Sequence, residues 1–370
     1  MKSVPPKHGG SRTSSVPIDE HFAMPAEWTT HRATWLAWPH NRNDWPGKLM
    51  SVTWCYTEVV RHLSVWEPVA ILFEDEATER RALRRLKRAG VDLTRIERFR
   101  CPTNRSWIRD SGGTFVRRQR QKNVKSEVAL VDWRFNGWAK YNDWSYDNRL
   151  PERIANEREL RRFVAVEPSQ KNPVVFESGS LDVNGEGVGL ATEQCLLDET
   201  IQPRNPGLGR AGIERALADY LGVNTLIWLG RGIAGDDTHG HVDDVARFVA
   251  PNTVVAATEA DSSDINHAPL AENFERLQGV RTKAGRLTVV PIPMPRPLRF
   301  DGQRLPASYL NFYVANGVVL VPTFNDPADR LALGQLADLF PEHKVTGIHA
   351  IDLVLGLGTL HCLTLQEPRP

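Results

Sequence analysis

No apolar run in this 370-residue chain approaches the roughly 20 residues that a membrane-crossing helix needs. A membrane-embedded protein is therefore not expected. Neither sign of charge dominates: 46 Lys and Arg stand against 45 Asp and Glu, a formal net charge of +1. A chain so balanced has no long-range pull toward nucleic acid or an anionic membrane surface. Cysteine is scarce. Cys55, Cys101, Cys195 and Cys362 lie far apart, and no C-x-x-C occurs. That spacing supports neither a zinc site nor a disulfide framework, and a reducing cytoplasm is the expected setting. The opening "MKSVPPKHGGSRTSSVP" has no apolar core for a secretory signal and reads as part of a flexible tail over residues 1–20. No Pro/Ser-rich linker interrupts the remainder of the chain, so residues 21–370 read as a single catalytic domain. Strict short-period repeats are also missing.

What is present is ordinary globular material, 41% hydrophobic and 25% charged. Strand-like runs recur at 69–75, 127–135, 173–183, 224–230, 246–258, 286–293 and 309–324. Helix-like segments fall between them. Residues 75–90 run from acidic to basic and stop at a Gly, which suits the helix dipole and a C-cap. Residues 205–222 carry apolar positions at helical spacing, and 326–340 begin Asp-Pro, an N-cap candidate followed by Pro at the first turn. "VNGEGVGLAT" and "ANGVVLVPTF" read as hairpins turning at Asn-Gly. The fold class is α/β.

Four segments hold more polar chemistry than a core requires. In "NRSWIRDSGGTFV", Asp110 follows Arg109 and precedes a Gly pair; its plain reading is a turn carboxylate paired with that arginine. In "FESGSLDVNGEG", Glu177 ends an apolar run. If that run is a strand, Glu177 shares the face of Val175, and a buried carboxylate there needs a cationic or hydrogen-bonding partner. "GDDTHGHVDDVARFV" packs four Asp and two His between Gly235 and Asp244. In an extended segment His241 and Asp243 would point to one side, the usual device for raising an imidazole pKa. A metal site is the rival there, and a solvated acidic turn is the plain alternative. Last, "GLGTLHCLTLQEPRP" sets Cys362 beside His361. In an extended run the two face opposite ways, which leaves His241 as the better partner for the thiol. Gly356 and Gly358 would let the backbone approach a ligand.

One thiol, one His-x-Asp, one Glu and one Asp make too many acids for a cysteine protease, which needs a single orienting carboxylate or amide. Three acids around a thiol suit a substrate that is itself a fixed cation. A guanidinium fits, because its planar donors match carboxylates in pairs.

These motifs are familiar as a set. "MPAEWTTHRATWLAWPHN", "SWIRDSGGTFV", "DWRFNGWAKY", "ESGSLDVNGEG", "DDTHGHVDDVARFV", "LPASYLNFYVANGVVLVPTFNDPAD" and "GTLHCLTLQEP" run in order from Met24 to Pro368. In them the chain resembles the agmatine deiminase or Porphyromonas-type peptidylarginine deiminase family of guanidine-modifying pentein enzymes. The resemblance implies a five-bladed α/β propeller of ββαβ modules about a pseudo-fivefold axis. It implies hydrolysis of a guanidine to a ureido product plus ammonia, with no metal and no organic cofactor. The implied substrate is agmatine, the product N-carbamoylputrescine, and the setting polyamine biosynthesis in the cytoplasm. Free, modified or peptidyl arginine is the alternative substrate. The implied partner is a small-molecule guanidine, with no nucleic acid and no membrane; assembly as a homo-oligomer is compatible with the sequence.

By the same resemblance Cys362 is the nucleophile and forms a covalent amidino-thioether. His241 protonates the departing ammonia and then activates water. Asp110 and Asp243 grip the guanidinium nitrogens, Glu177 binds the guanidinium and assists proton transfer, and Trp107 walls the alkyl chain or belongs to the core. The chain departs from the family pattern at Arg105, where Asp is frequent, at Gly113, where Pro is, and at Ser178, where Gly is. "FNGW" is one Gly shorter before Lys140, and "GLG" replaces a frequent "GGG". An Arg105 that points into the cleft would oppose a cationic tail and favour a carboxylate-bearing guanidine.

Overall fold

The computed structural model describes residues 15–118, 126–167, 172–283 and 285–370. Of the expected tail, residues 1–14 lie outside the described residues. Pro17–Glu20 form one 3-10 turn, and Glu20 is ion-paired with Arg161. No helix among the described residues is long and apolar enough to cross a membrane.

Five sheets of three or four strands repeat one unit: an antiparallel strand pair, a helix, and a strand parallel to the second of the pair. Asp182–Val183 pairs antiparallel with Val188–Thr192, the chain passes through the helix Gly209–Leu221, and Thr225–Leu229 returns parallel. The same order recurs in Ala246–Ala250, Thr253–Thr258, the helix His267–Gln278 and Thr288–Pro293. It recurs in Tyr313–Ala315, Val318–Thr323, the helix Ala328–Leu339 and Lys344–His349, and in Thr114–Arg118, Val128–Asp132, the helix Leu150–Glu157 and Arg161–Val164. The fifth unit joins the two ends of the chain. Its first strand is Thr364–Pro368, antiparallel to His31–Ala37, and the helix Leu49–Trp66 leads on to the parallel strand Val69–Phe73. No described sheet closes on itself.

Local chemistry explains the units. Parallel pairing forces a crossover, and a helix supplies it while covering the sheet. Asn316-Gly317 makes a two-residue turn, with Gly317 at φ 78, so that Ala315 lies opposite Val318. Asp75 caps the helix Glu76–Arg88 by accepting from the Thr78 amide at 2.6 Å. Gly222, at φ 71, ends the helix Gly209–Leu221. The expected strand over 173–183 is mostly loop: it holds a 3-10 turn at Ser178–Ser180, and only Asp182–Val183 pair in a strand.

The repeat sets the function. In each unit the segment just before the first strand carries polar side chains: Asp110, on the short helix Ile108–Ser111, before Thr114, Glu177 before Asp182, His241 and Asp243 before Ala246, Asn311 before Tyr313, and Cys362 before Thr364. Residues far apart in the chain thereby share one end of the molecule.

Candidate active site

Asp110, Trp107 and Cys362 line one cavity of about 400 Å³, together with Trp138, Tyr141 and Asp237. Cys362 sits in a tight turn, not in the extended run expected of it. Asn311 donates from Nδ2 to its Sγ at 3.2 Å, and Asp243 Oδ2 lies 3.8 Å from the same sulfur. Burial pushes the thiol well above its ordinary pKa, and Asp243, Asp244 and Asp110 push further in the same direction. Such surroundings favour the neutral thiol.

His241 precedes a 3-10 turn at Val242–Asp244, so the period-2 argument for His241 and Asp243 does not apply. The turn is built by Asp236, whose Oδ2 accepts from the Gly240 amide at 2.7 Å and the His241 amide at 2.9 Å. The imidazole is buried between two acids, with Nδ1 3.7 Å from Asp110 and Nε2 3.6 Å from Glu177. Burial alone would lower its pKa; Asp110, Cys195 and Glu177 outweigh that and raise it. Neither ring nitrogen has a hydrogen-bond partner. The acidic stretch thus divides: Asp236 shapes the turn, Asp237 bonds Lys140 and Tyr141, and His239 lies 3.3 Å from Asp198.

Asp110 accepts from Trp138 Nε1 at 2.9 Å and from the Gly179 amide at 3.1 Å. The plain reading of Asp110 as partner of Arg109 does not hold, because Arg109 turns the other way to the His361 carbonyl and Gln366. Burial raises Asp110 to about 6, with Glu177 and Asp243 adding to the rise. Glu177 is fully buried and does not face solvent. Its partner is Arg204, whose Nε reaches both carboxylate oxygens at 3.2 and 3.3 Å. Burial pushes the Glu177 carboxyl up, but Arg204 and His241 together hold it below its ordinary value. Asp243 accepts from His361 Nδ1 at 2.7 Å, and His361 Nε2 meets Glu27 at 2.8 Å. So His361 serves the acid beside the thiol, a contact that chain adjacency alone conceals. Glu27 lies in turn 3.0 Å from Arg247.

Sequence reasoning missed Asn311, Arg204, Trp138 and Gly179. Trp138 had a signal. It follows Asn-Gly, and its φ of 57° is a left-handed conformation that costs an L-residue about 1–2 kcal/mol, the kind of strain found where a side chain must be aimed. Gly356 and Gly358 both line the cavity, and their missing side chains also make room for its aromatic walls. A Cβ would meet Trp45 Nε1 at 2.4 Å from the first and Trp107 at 3.0 Å from the second. Trp107 both lines the cavity and packs on Trp45, ring centroids 5.3 Å apart. Among the described residues Glu177, Cys195 and His241 bring possible metal-ligand atoms within 4.8 Å of one another. Arg204 already holds the Glu177 carboxylate, so an ion there would sit against a guanidinium.

The model of the family described as Porphyromonas-type peptidyl-arginine deiminase matches residues 23–368. The agmatine deiminase of Pseudomonas aeruginosa is 33% identical over 384 residues, covering 97% of this chain and 99% of that one. The solved structure of the agmatine deiminase of Enterococcus faecalis superposes with a TM-score of 0.86 at 31% identity, over 96% of this chain and 98% of that one. At 13% identity and a TM-score of 0.50, an amidinotransferase from Microseira wollei shares the fold alone, over 94% of this chain and 97% of that one.

Proposed function

The chain belongs to the Porphyromonas-type peptidyl-arginine deiminase family, and from that premise we propose that it hydrolyses agmatine to N-carbamoylputrescine and ammonia. It is an enzyme of the agmatine deiminase kind with the α/β pentein fold. We read the five repeated units as blades of a pseudo-fivefold propeller, and residues 21–370 as one catalytic domain. The four free cysteines suit a cytoplasmic enzyme.

One observation carries the reading: a thiol, a histidine and three acids from four separate segments converge, with Cys362 and Asp110 lining one cavity and Asp243, His241 and Glu177 in contact range behind them. In the proposed reaction the guanidinium enters and supplies the positive neighbour that the Cys362 thiol lacks. Asp110 and Asp243 accept its N–H groups, and Glu177 steadies the charge and the protons. As the cation binds, the Cys362 thiol gives up its proton to solvent and its sulfur bonds to the guanidinium carbon. His241 protonates one amino group, the C–N bond breaks, and ammonia leaves. His241 then takes a proton from water, whose oxygen bonds to the same carbon. The C–S bond breaks, releasing the ureido product and the thiolate. One guanidine and one water thus become one urea and one ammonia.

Arg105 is the observation that would favour arginine, but its charge is held by Asp44 and Asp143, so agmatine is the better fit. The test is to incubate the protein with agmatine and measure ammonia and ureido product. Agmatine left intact while arginine is deiminated would overturn the substrate. Turnover that survives Cys362→Ala would overturn the covalent route.

A further inference from the structure

Arg105 is the only cation among the described residues that line the cavity; Asp44, Asp110, Asp237 and Asp301 are its acids. The guanidinium is not free. Nη1 is bonded to Asp44, Nη2 lies 3.0 Å from Asp143 Oδ1, and the plane lies over the Tyr141 ring, 4.1 Å from the centroid. Its backbone is pinned as well, because Asp147 accepts from the Arg105 amide at 3.1 Å and the Asn104 amide at 2.7 Å. The side chain therefore cannot leave the wall without breaking bonds on both sides.

Asp44 is an expensive partner. Its side chain is fully buried, and its Oδ2 and the Arg105 Nε are both buried without hydrogen-bond partners. A buried pair with unmet polar atoms adds little stability over an apolar replacement, so its use lies elsewhere. What it changes is the charge that the far end of the substrate meets. Next in the chain, Trp45 packs on Trp107, and Trp107 packs against the segment that carries Cys362. The pair and the reacting thiol therefore share one wall.

We propose that Asp44 determines specificity: by holding Arg105, with Asp143 beside it, it cancels the cavity wall's one positive charge and admits a guanidine whose tail ends in an ammonium rather than a carboxylate. The inference rests on the deiminase reading and deepens it. Asp44 acts through Arg105, as a positioning residue.

Three guanidines of matched length test it: agmatine, 4-guanidinobutanoate and n-butylguanidine, with the neutral tail as reference. Dividing each kcat/KM by that for n-butylguanidine cancels a general loss of activity. Above pH 7, where Asp44, raised to about 7 by burial, is ionised, Asp44→Asn is expected to lower the agmatine ratio and raise the guanidinobutanoate ratio, each by about tenfold or more, because Asp143 alone then balances the guanidinium from its exposed side. Arg105→Gln leaves the agmatine ratio at or above wild type. In the Arg105→Gln background, Asp44→Asn then shifts neither ratio, because the buried Asp44 carboxyl, raised to about 7 even beside the guanidinium, goes higher without it and has no charge left to remove. If Asp44→Asn does not fold, Asp143→Asn, on the exposed side of the same guanidinium, moves both ratios in the same directions. Ratios that stay within about threefold of wild type in the folded variants overturn the proposal, as does an equal shift with and without Arg105. A wild-type protein inert on all three guanidines instead overturns the deiminase reading beneath it.

Discussion

Gly179 has the imidazole and two of the acids close about it, and replacing it with Ala tests how closely they must approach. Its backbone is not in the left-handed region, so an alanine meets no conformational penalty there; the effect is one of space. A Cβ built on Gly179 would lie 2.6 Å from His241 Nδ1, 2.8 Å from Asp110 Oδ1 and 3.2 Å from Asp243 Oδ2. Ordinary contact begins at 3.4 Å, so the imidazole must retreat by about 0.8 Å and the Asp110 carboxylate by about 0.6 Å. Neither can move freely. His241 is pressed from its other side by Glu177, and Asp110 is tied to Trp138 and to the Gly179 amide itself. A misplacement near 1 Å costs about 100-fold in rate, while overpacking costs about 1–3 kcal/mol of stability.

The assay is kcat/KM for ammonia release from agmatine, paired with denaturant unfolding. The expected result is a loss of about 100-fold in a protein that still folds. Gly334→Ala is the control. It lies on the exposed face of the helix Ala328–Leu339, and its Cβ would meet nothing within 4 Å. It should add about 0.5–1 kcal/mol of stability and leave the kinetics alone. A folded Gly179→Ala variant within about threefold of wild type would refute the claim that the two acids and the histidine are held at contact distance.

The same geometry sets further outcomes. Asp110, raised to about 6, is ionised above that pH and protonated below it, so kcat/KM for agmatine should fall as the pH drops through 6; a flat profile from about 5 to 8 would show that Asp110 does not receive the substrate's charge. Trp138→Phe removes the indole donor that favours the charged form, so the acid limb should move to higher pH, with about tenfold lost at pH 7 for one charge-assisted hydrogen bond. Arg204→Met leaves Glu177 buried and unpaired, and denaturant melts should show about 3–5 kcal/mol of destabilisation; a loss under about 1 kcal/mol would mean that water or His241 replaces the guanidinium. Because burial and three nearby acids keep the Cys362 thiol neutral, iodoacetamide should alkylate it slowly at pH 7. An amidinium-bearing haloalkylator should react much faster, and equal rates would deny that the incoming cation ionises the thiol.

Much of this was legible in the chain, and the failures have physical causes. Segments with period-2 apolar runs and sharp turn chemistry read correctly, as did helices that end at Gly90 and Gly222. The helix Leu49–Trp66 went unread because "LMSVTWCYTEVVRHLSVW" is rich in β-branched and aromatic residues with poor helix propensity. Packing against the strands Val69–Phe73, Val318–Thr323 and Lys344–His349 overrides that propensity. The fivefold repetition is one of topology and not of residues, so no sequence period reveals it. At the site the reactive residue types could be chosen from the chain, but their directions could not. Glu177, His241 and Cys362 stand on turns and 3-10 segments, where strand alternation gives no guidance. Asn311 and Arg204 carry no local mark, because an asparagine or an arginine in a loop has many uses. Their roles appear only when a loop from another unit arrives beside them.

That convergence also explains how so many acids coexist. Asp110 and Asp243 crowd the thiol and Glu177 the imidazole beside them, and like charges in a buried site drive protonation. Each is steadied by a different unit of the fold: Glu177 by Arg204 from the segment before the helix Gly209–Leu221, Asp110 by the Trp138 indole, and Asp243 by His361. His361 in turn leans on Glu27, and Glu27 on Arg247, which also holds Asp182. Of these partners only Trp138 lines the cavity, where Asp110 is the one of the three acids that a cation can meet directly. Glu177 and Asp243 are kept below the ordinary carboxylate range, whereas Asp110, with only neutral donors and His241 near it, is raised. Asp110 is therefore the acid with most to gain from an arriving cation, and in the proposed reaction its carboxylate, lining the cavity with the thiol, is where substrate charge and thiol ionisation would be coupled.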